Sequence, residues 1–158
     1  MTLDPAVFRS ILGRFATGVS IVTARDATET DHGMTVSAFS SLSLDPPLVL
    51  ACIDRTTEMY GVLMDATHFT VNILAEEQES LSRRFAEQMT DRFDGVGFTR
   101  SSTGAAILDD VIAFAECEIT SRSDAGDHTI FVGRVLSGES RAGRPLLYYR
   151  GGYAQLER

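Results

Sequence analysis

Short apolar runs of strand length, with only two or three helical stretches among them and no regular strand-helix-strand alternation, restrict the fold of this chain most. Residues 19–23 are rich in β-branched side chains and read as one strand. From Met34 the pattern alternates, with Met34, Val36 and Ala38 set against Thr35 and Ser37, as in a half-buried strand. Residues 48–53 follow Pro46 and Pro47 as a continuous apolar run, the pattern of a buried strand. In 68–74, Phe69, Val71 and Ile73 oppose Thr70 and Asn72. Strands over 111–121 and 129–136 are joined at Gly126 and Asp127, and a last one begins over 146–149.

Asp4 before Pro5 opens a helix, because aspartate accepts from orphan N–H groups and proline loses nothing at the first helical position. Phe8, Ile11, Leu12 and Phe15 then repeat at helical spacing. A short helix over 57–64 has Met59, Val62 and Leu63 on one face. The clearest helix is 76–89, rich in helix formers and opening on acidic residues that suit the positive end of its dipole. Residues 26–33 and 91–106 hold too many polar and glycine residues for regular structure. The pattern predicts a mainly β protein, six or seven antiparallel strands in a barrel with two or three flanking helices, as one domain over residues 1–158.

Charge and motifs narrow the function. The net charge of -8 argues against nucleic acid, which is usually met with a basic face. All 14 cationic side chains are arginine, so no Schiff-base or P-loop lysine is present. Cys52 and Cys117 lie far apart in apolar runs, which suggests neither a disulfide framework nor a zinc site and fits a reducing cytoplasm. No leader-like start and no run of 18 apolar residues is seen, so secretion and membrane spanning are not expected. Gly13, Gly18 and Gly33 lack the spacing of a G-x-G-x-x-G turn, so any dinucleotide binds without a Rossmann motif. Hydrolase, zinc-protease and dithiol motifs are missing too, and His32, His68 and His128 are too scattered for a metal site.

The stretch from Gly33 to Leu48 crowds small and hydroxyl residues onto one strand and its exit. Such a surface suits a planar polar ligand approached by backbone N–H groups and hydroxyls, and it equally suits a solvated strand face and a serine-rich turn. Arg83 and Arg84 can neutralise a phosphate or pair with Glu79 and Glu87 along a helix. His128, after Gly126 and Asp127, can point into a groove with Asp127 beside it, or be a turn histidine without a role. Tyr148, Tyr149 and Tyr153, with Gly151 and Gly152 between, offer aromatic faces for stacking or form a half-buried edge strand.

Taken together, Gly33 to Leu48, Cys52 to Thr57, Phe69 to Ile73, Ser82 to Ala86, Gly126 to His128 and Leu147 to Tyr153 resemble the flavin reductase domain family of FMN-binding split barrels, in that family's order. The likeness is greatest to short reductases that supply reduced flavin to two-component monooxygenases. It implies a homodimer of Greek-key split barrels, each with a flavin, FMN or FAD, near the subunit interface and NADH or NADPH as hydride donor. Thr35, Val36, Ser37, Ala38, Ser40 and Ser41 then fall where the family lines the flavin, and Cys52, Ile53, Asp54 and Thr57 complete the pocket. Asp54 stands where many relatives carry asparagine. Ser82, Arg84 and Phe85 fall at the phosphate end, with Arg84 preferred over Arg83 as the anion partner. His128, Tyr149, Gly152 and Tyr153 fall on the nicotinamide side, His128 closest to the chemistry. The partner implied is a separate oxygenase served by flavin transfer. A flavin or haem carrier without turnover is the alternative on the same fold.

Overall fold

The computed structural model describes residues 1–157. In chain order the elements are α1 (Pro5–Leu12), β1 (Thr17–Gly18), β2 (Ser20–Arg25), β3 (Asp31–Val36), β4 (Phe39–Ser43), β5 (Leu48–Asp54), α2 (Glu58–Asp65) and β6 (His68–Ile73). A 3-10 turn (Glu76–Gln78) leads into α3 (Glu79–Ala86), followed by β7 (Phe98–Arg100), β8 (Ala106–Leu108), β9 (Ala113–Ala125), β10 (His128–Ser140), β11 (Leu146–Tyr149) and β12 (Gly152–Gln155).

Seven strands form one antiparallel sheet in the order β3-β2-β6-β9-β10-β5-β4. Its two edge strands, β3 and β4, are consecutive in the chain and separated only by Ser37 and Ala38. Two residues span a few ångströms, so the sheet must curl until its edges lie side by side. Because β3 and β4 do not pair, the result is a barrel with a seam, the split barrel expected from the resemblance. Outside it, β1, β11 and β12 make a small ribbon that joins the two ends of the chain, with Thr17 opposite Tyr148 and Tyr148 opposite Tyr153.

The core has two parts, divided by β2, which is buried on both faces. Val22 and Ala24 face the barrel interior with Val36, Val49, Ala51, Ile53, Phe69, Val71 and Phe131, and α2 closes this interior with Met59 and Leu63. Val19 and Ile21 face the other way, against Leu74, Phe85, Leu108, Val111 and Leu146. Between the layers, the fully buried Asn72 donates to the carbonyl of Ile21 (3.0 Å) and accepts from the N–H of Leu108 (2.9 Å). Buried amides satisfied in this way fix the register of the elements they join.

Three local expectations are revised. The helix expected over 76–89 is a 3-10 turn and two turns of helix ending at Ala86. Its continuation is pre-empted by tertiary hydrogen bonds: Arg92 donates to the carbonyl of Glu87 (2.8 Å), and Arg84 to those of Asp91, Arg92 and Asp94. Residues 91–106, expected to be irregular, hold β7 and the start of β8, which pair as a hairpin anchored by edge-on Phe93 and Phe98. Finally, β3 starts at Asp31, inside the expected loop, while β9 and β10 run thirteen residues each through exposed polar sequence.

Helix α1 is as predicted in its start, where the N–H of Ala6 donates to the Asp4 carboxylate at 2.8 Å. Its apolar stripe, however, is uncovered in the single chain: Phe8, Ile11, Leu12 and Phe15 are all more than half exposed. Among the described residues no helix is long and apolar enough to cross a membrane, and no cluster suited to a metal ion is found.

Candidate active site at the barrel seam

The seam residues Ser37 and Ala38 are exposed and carry almost no side chain, so a ligand can approach the backbone here. On one side lies a groove of about 220 Å³ lined by Val19, Thr35, Ser37, Ala86, Tyr148 and Tyr153. It continues past Val19 and Ser37 into a smaller one of about 150 Å³ over Thr17, Gly18, Val36 and Phe39. On the far side of Ala86 is a cleft of about 410 Å³ whose lining includes Met34, Thr57, Met89 and Arg92.

A short hydroxyl chain fixes the groove wall. The Thr35 hydroxyl donates to the carbonyl of Ser82 (2.6 Å), and the Ser82 hydroxyl, fully buried, shares a 2.7 Å hydrogen bond with the Tyr153 hydroxyl. Strand β3, helix α3 and strand β12 are thereby tied at one point. Tyr153 meets Tyr148 edge-on at 5.4 Å between ring centres, and the guanidinium of Arg83 lies 4.8 Å over its ring while pairing with Glu79. In the smaller groove, the Thr17 hydroxyl is buried without a hydrogen-bond partner. A buried hydroxyl left unpaired beside an open groove is a position a polar ligand can satisfy.

Beyond the seam, the N–H of Cys52 donates to the carbonyl of Ala38 at 2.9 Å. Cys52 and Asp54 alternate with buried Ala51 and Ile53, and therefore face outward. His128 is the cross-strand neighbour of Asp54. The Asp54 carboxylate accepts from the N–H and hydroxyl of Thr56, both at 2.8 Å. Those bonds, with lesser help from the charges of His128 and Arg55, hold its carboxyl below the ordinary value. The Thr57 hydroxyl donates to the carbonyl of Asp54 (2.7 Å) and caps α2 by accepting from the N–H of Tyr60. His128 bonds through Nδ1 to Asp127 at 2.7 Å, and Arg55 donates to its carbonyl at 2.7 Å.

The sequence-derived site residues thus divide. Thr35, Ser37 and Tyr153 share the groove, and Ala38, Cys52, Asp54 and His128 follow one another beyond it. Ile53 and Phe85 are core residues instead of groove wall, because strand and helix periodicity turns their side chains inward, and Val36, also packed in the core, reaches only the smaller groove. Arg84 is turned away, its guanidinium engaged by three backbone carbonyls of the loop 91–94, so the cation beside the groove is Arg83. Ser40 and Ser41 are exposed on β4, with the Ser40 hydroxyl donating to the carbonyl of Ser41. Tyr149 is exposed and pairs across the ribbon with half-buried Gly152; neither lines these grooves. Thr17, Val19 and Ala86 line the grooves without having been singled out as site residues, and Tyr148, considered with Tyr149 and Tyr153 for stacking but not placed in the site, lines one as well. Thr17 and Gly18 before the first β-branched run were the available signal. Burial raises Cys52 above the ordinary thiol value and pushes Cys117 up to about 12, with Glu116 adding to the latter, which disfavours the thiolate form of both.

Fold and groove together define a split-barrel protein with a groove of small and hydroxyl residues at its seam. The model of the flavin reductase like domain matches residues 12–157. A reductase subunit of a flavin-dependent monooxygenase, HsaB of Rhodococcus jostii (strain RHA1), is 42% identical over 156 residues, covering 98% of this chain and 80% of the relative. A probable flavin reductase of Rhizobium meliloti (strain 1021) is 41% identical over 95% of this chain, which spans only 48% of that protein. The solved NADH:FAD oxidoreductase SgcE6 of Streptomyces globisporus, in complex with NAD and FAD fragments, superposes with a TM-score of 0.93 at 33% identity, covering 99% of this chain and 97% of that one. The chain belongs to the flavin reductase like domain family. It is an oxidoreductase that reduces flavin with a nicotinamide donor, of the kind that serves two-component monooxygenases.

Proposed function

We propose that flavin binds along the seam, its ring system over Thr35 to Ala38 and its phosphate end toward Ser82 and Arg83. The nicotinamide then approaches between His128 and the tyrosines of the ribbon. The observation that carries this reading is the hydroxyl-lined groove, which runs from the small residues of the seam to Tyr153 under one exposed guanidinium. When bound, the two cofactors supply the hydride chemistry themselves. The chain's residues orient and enclose: backbone at the seam gives close approach, the Thr35–Ser82–Tyr153 chain keeps the wall rigid, and Asp127 fixes which nitrogen of His128 carries a proton.

The chain acts as one domain and as a homodimer. The uncovered stripe of α1, beside exposed Leu42, Leu44 and Leu136, is apolar surface of a kind that monomers rarely leave to water, and a second copy is its occupant. Residence in the cytoplasm accords with two free thiols. Reduced flavin leaves for a separate oxygenase, whose substrate is a matter for that protein.

The test is oxidation of NADH and NADPH by the purified chain with FMN, FAD or riboflavin, repeated with Ser37→Tyr. Turnover is expected only with flavin present, and the tyrosine, filling the seam, is expected to abolish flavin binding in a folded protein. Turnover without flavin, or unchanged flavin affinity in the variant, would refute the reading.

A further inference from the structure

The arginines of this acidic protein are almost all accounted for. Arg25, Arg83, Arg100 and Arg134 pair with carboxylates. Arg55, Arg84, Arg92, Arg122 and Arg141 donate to backbone carbonyls, and Arg144 is also engaged. Among the described residues, Arg9, Arg14 and Arg150 alone have side chains with no hydrogen bond or ion pair, and all three line one cleft of about 320 Å³ with Gly13 and Gly151. Three unpaired cations gathered on a chain of net charge -8 repel one another unless an anion joins them. The carboxyl end of α1 offers only about half a unit of negative charge, and its last carbonyls are already capped by the N–H of Gly13.

The backbone holds this cluster in place. Arg150 has φ of 52° and Gly151 of 77°, so a bulky side chain occupies a left-handed turn position that suits glycine or asparagine. It is kept there by its N–H, which donates to the carbonyl of Gly13 at 2.9 Å. A strained arginine retained at the tip of a hairpin motivates a role for its side chain. Tyr148 and Tyr153, which line the seam groove, are opposite one another in that hairpin, two residues back from Arg150 and Gly151. At strand spacing this is about 7 Å, within reach of one nucleotide.

We infer that Arg9, Arg14 and Arg150 form a subsite for the diphosphate of a dinucleotide whose ring lies in the Tyr148–Tyr153 groove. The inference rests on the seam reading for the position of the ring. Guanidiniums match phosphate oxygens in pairs and remain charged at any working pH. The diphosphate has two sources, the nicotinamide donor or FAD, and the same chemistry serves either.

ADP is the probe. Its affinity for the holoprotein loaded with FMN, which has no diphosphate, is measured by calorimetry for the unaltered chain, for Arg14→Gln/Arg150→Gln and for Arg150→Gly, which suits the left-handed turn better than arginine does. The dissociation constant is expected to rise at least tenfold in the double variant and severalfold in Arg150→Gly, with the dependence on salt becoming shallower. ADP is expected to compete with NADH if the donor's diphosphate sits here, the KM for NADH rising with FMN as acceptor. If FAD's diphosphate sits here, ADP competes with FAD and the KM for FAD rises while that for FMN does not. Unchanged ADP affinity in both variants would overturn the subsite and leave the seam reading standing. Arginine-dependent ADP binding that competes with neither nucleotide would place the ring elsewhere and overturn the link to the groove.

Discussion

The hydrogen bond between Ser82 and Tyr153 offers the sharpest test of how the groove is built, because its two ends differ in burial. Tyr153→Phe keeps the ring and removes the hydroxyl, leaving the fully buried Ser82 hydroxyl without its 2.7 Å partner. An unsatisfied buried hydroxyl costs about 1–3 kcal/mol. Ser82→Ala is milder: Tyr153 is only half-buried and can turn its hydroxyl to water, and alanine gains a few tenths of a kcal/mol in helix propensity. The loss expected there is about 0.5–1 kcal/mol. In the double variant neither hydroxyl is stranded, so the combined loss falls short of the sum by about 1 kcal/mol. With a urea dependence of about 2 kcal/mol per molar, Tyr153→Phe lowers the unfolding midpoint by about 0.5–1.5 M. Urea titrations of the four proteins without flavin, read by circular dichroism, supply the cycle. Strict additivity would mean that the two hydroxyls do not depend on each other, and the account of the groove wall would fail.

Gly33→Ala is expected to lower both stability and flavin affinity, since a Cβ there would stand 2.7 Å from the Phe85 ring and must push α3 off β3; a loss of about 1–3 kcal/mol with a weaker flavin complex checks this, and a neutral variant contradicts it. Burial opposes the charge on Glu116 more than any other single effect, but hydrogen bonds from Ser137, Ser102 and Thr103 together outweigh it and hold the carboxyl below its ordinary value. It therefore stabilises the fold above the unfolded-state pKa of about 4.3 and loses that contribution as pH falls through the lower folded value. Melting curves of Glu116→Gln between pH 7 and pH 3 should be flatter than those of the unaltered chain, and parallel curves would refute the claim. His128→Ala should raise the KM for the nicotinamide donor tenfold or more while changing flavin affinity less than threefold; a loss confined to flavin would move the imidazole to the other side of the site.

Strand content was readable in the sequence because it rests on short-range pattern, whereas the seam was expected only from the family resemblance. Alternation from Met34 to Ala38 marks the strand that ends at the seam, and Pro46 and Pro47 precede β5, but β4 between them is not read as a strand from the sequence. What was not readable depends on partners distant in the chain. Nothing near Arg84 shows that loop carbonyls 91–94 will capture it and leave Arg83 to the groove. Nor does the stretch from Glu76 show that its helix stops when Arg92 takes the Glu87 carbonyl. Ile53 and Phe85 belong to motif segments, but motif membership does not say which face of a strand or helix a side chain takes. Thr17 was overlooked because its exceptional state, burial without a partner, exists only once β1 lies beside β11.

A barrel that is never zipped shut has two raw strand edges, and such edges are templates on which strands of other molecules can add. Here they are blunted unequally. The β3 edge is shielded where Arg92 donates to the carbonyl of Gly33 at 2.6 Å, whereas β4 is short, rich in serine and irregular between Ser41 and Ser43. On the proposed reading the flavin lies along this gap, so each departure of reduced flavin briefly uncovers the molecule's most adhesive backbone. Carrying a ligand that must leave thus sets an upper bound on how sticky the seam can be, and small hydroxyl side chains, which bind a flavin but pack poorly against a foreign strand, meet both demands at once.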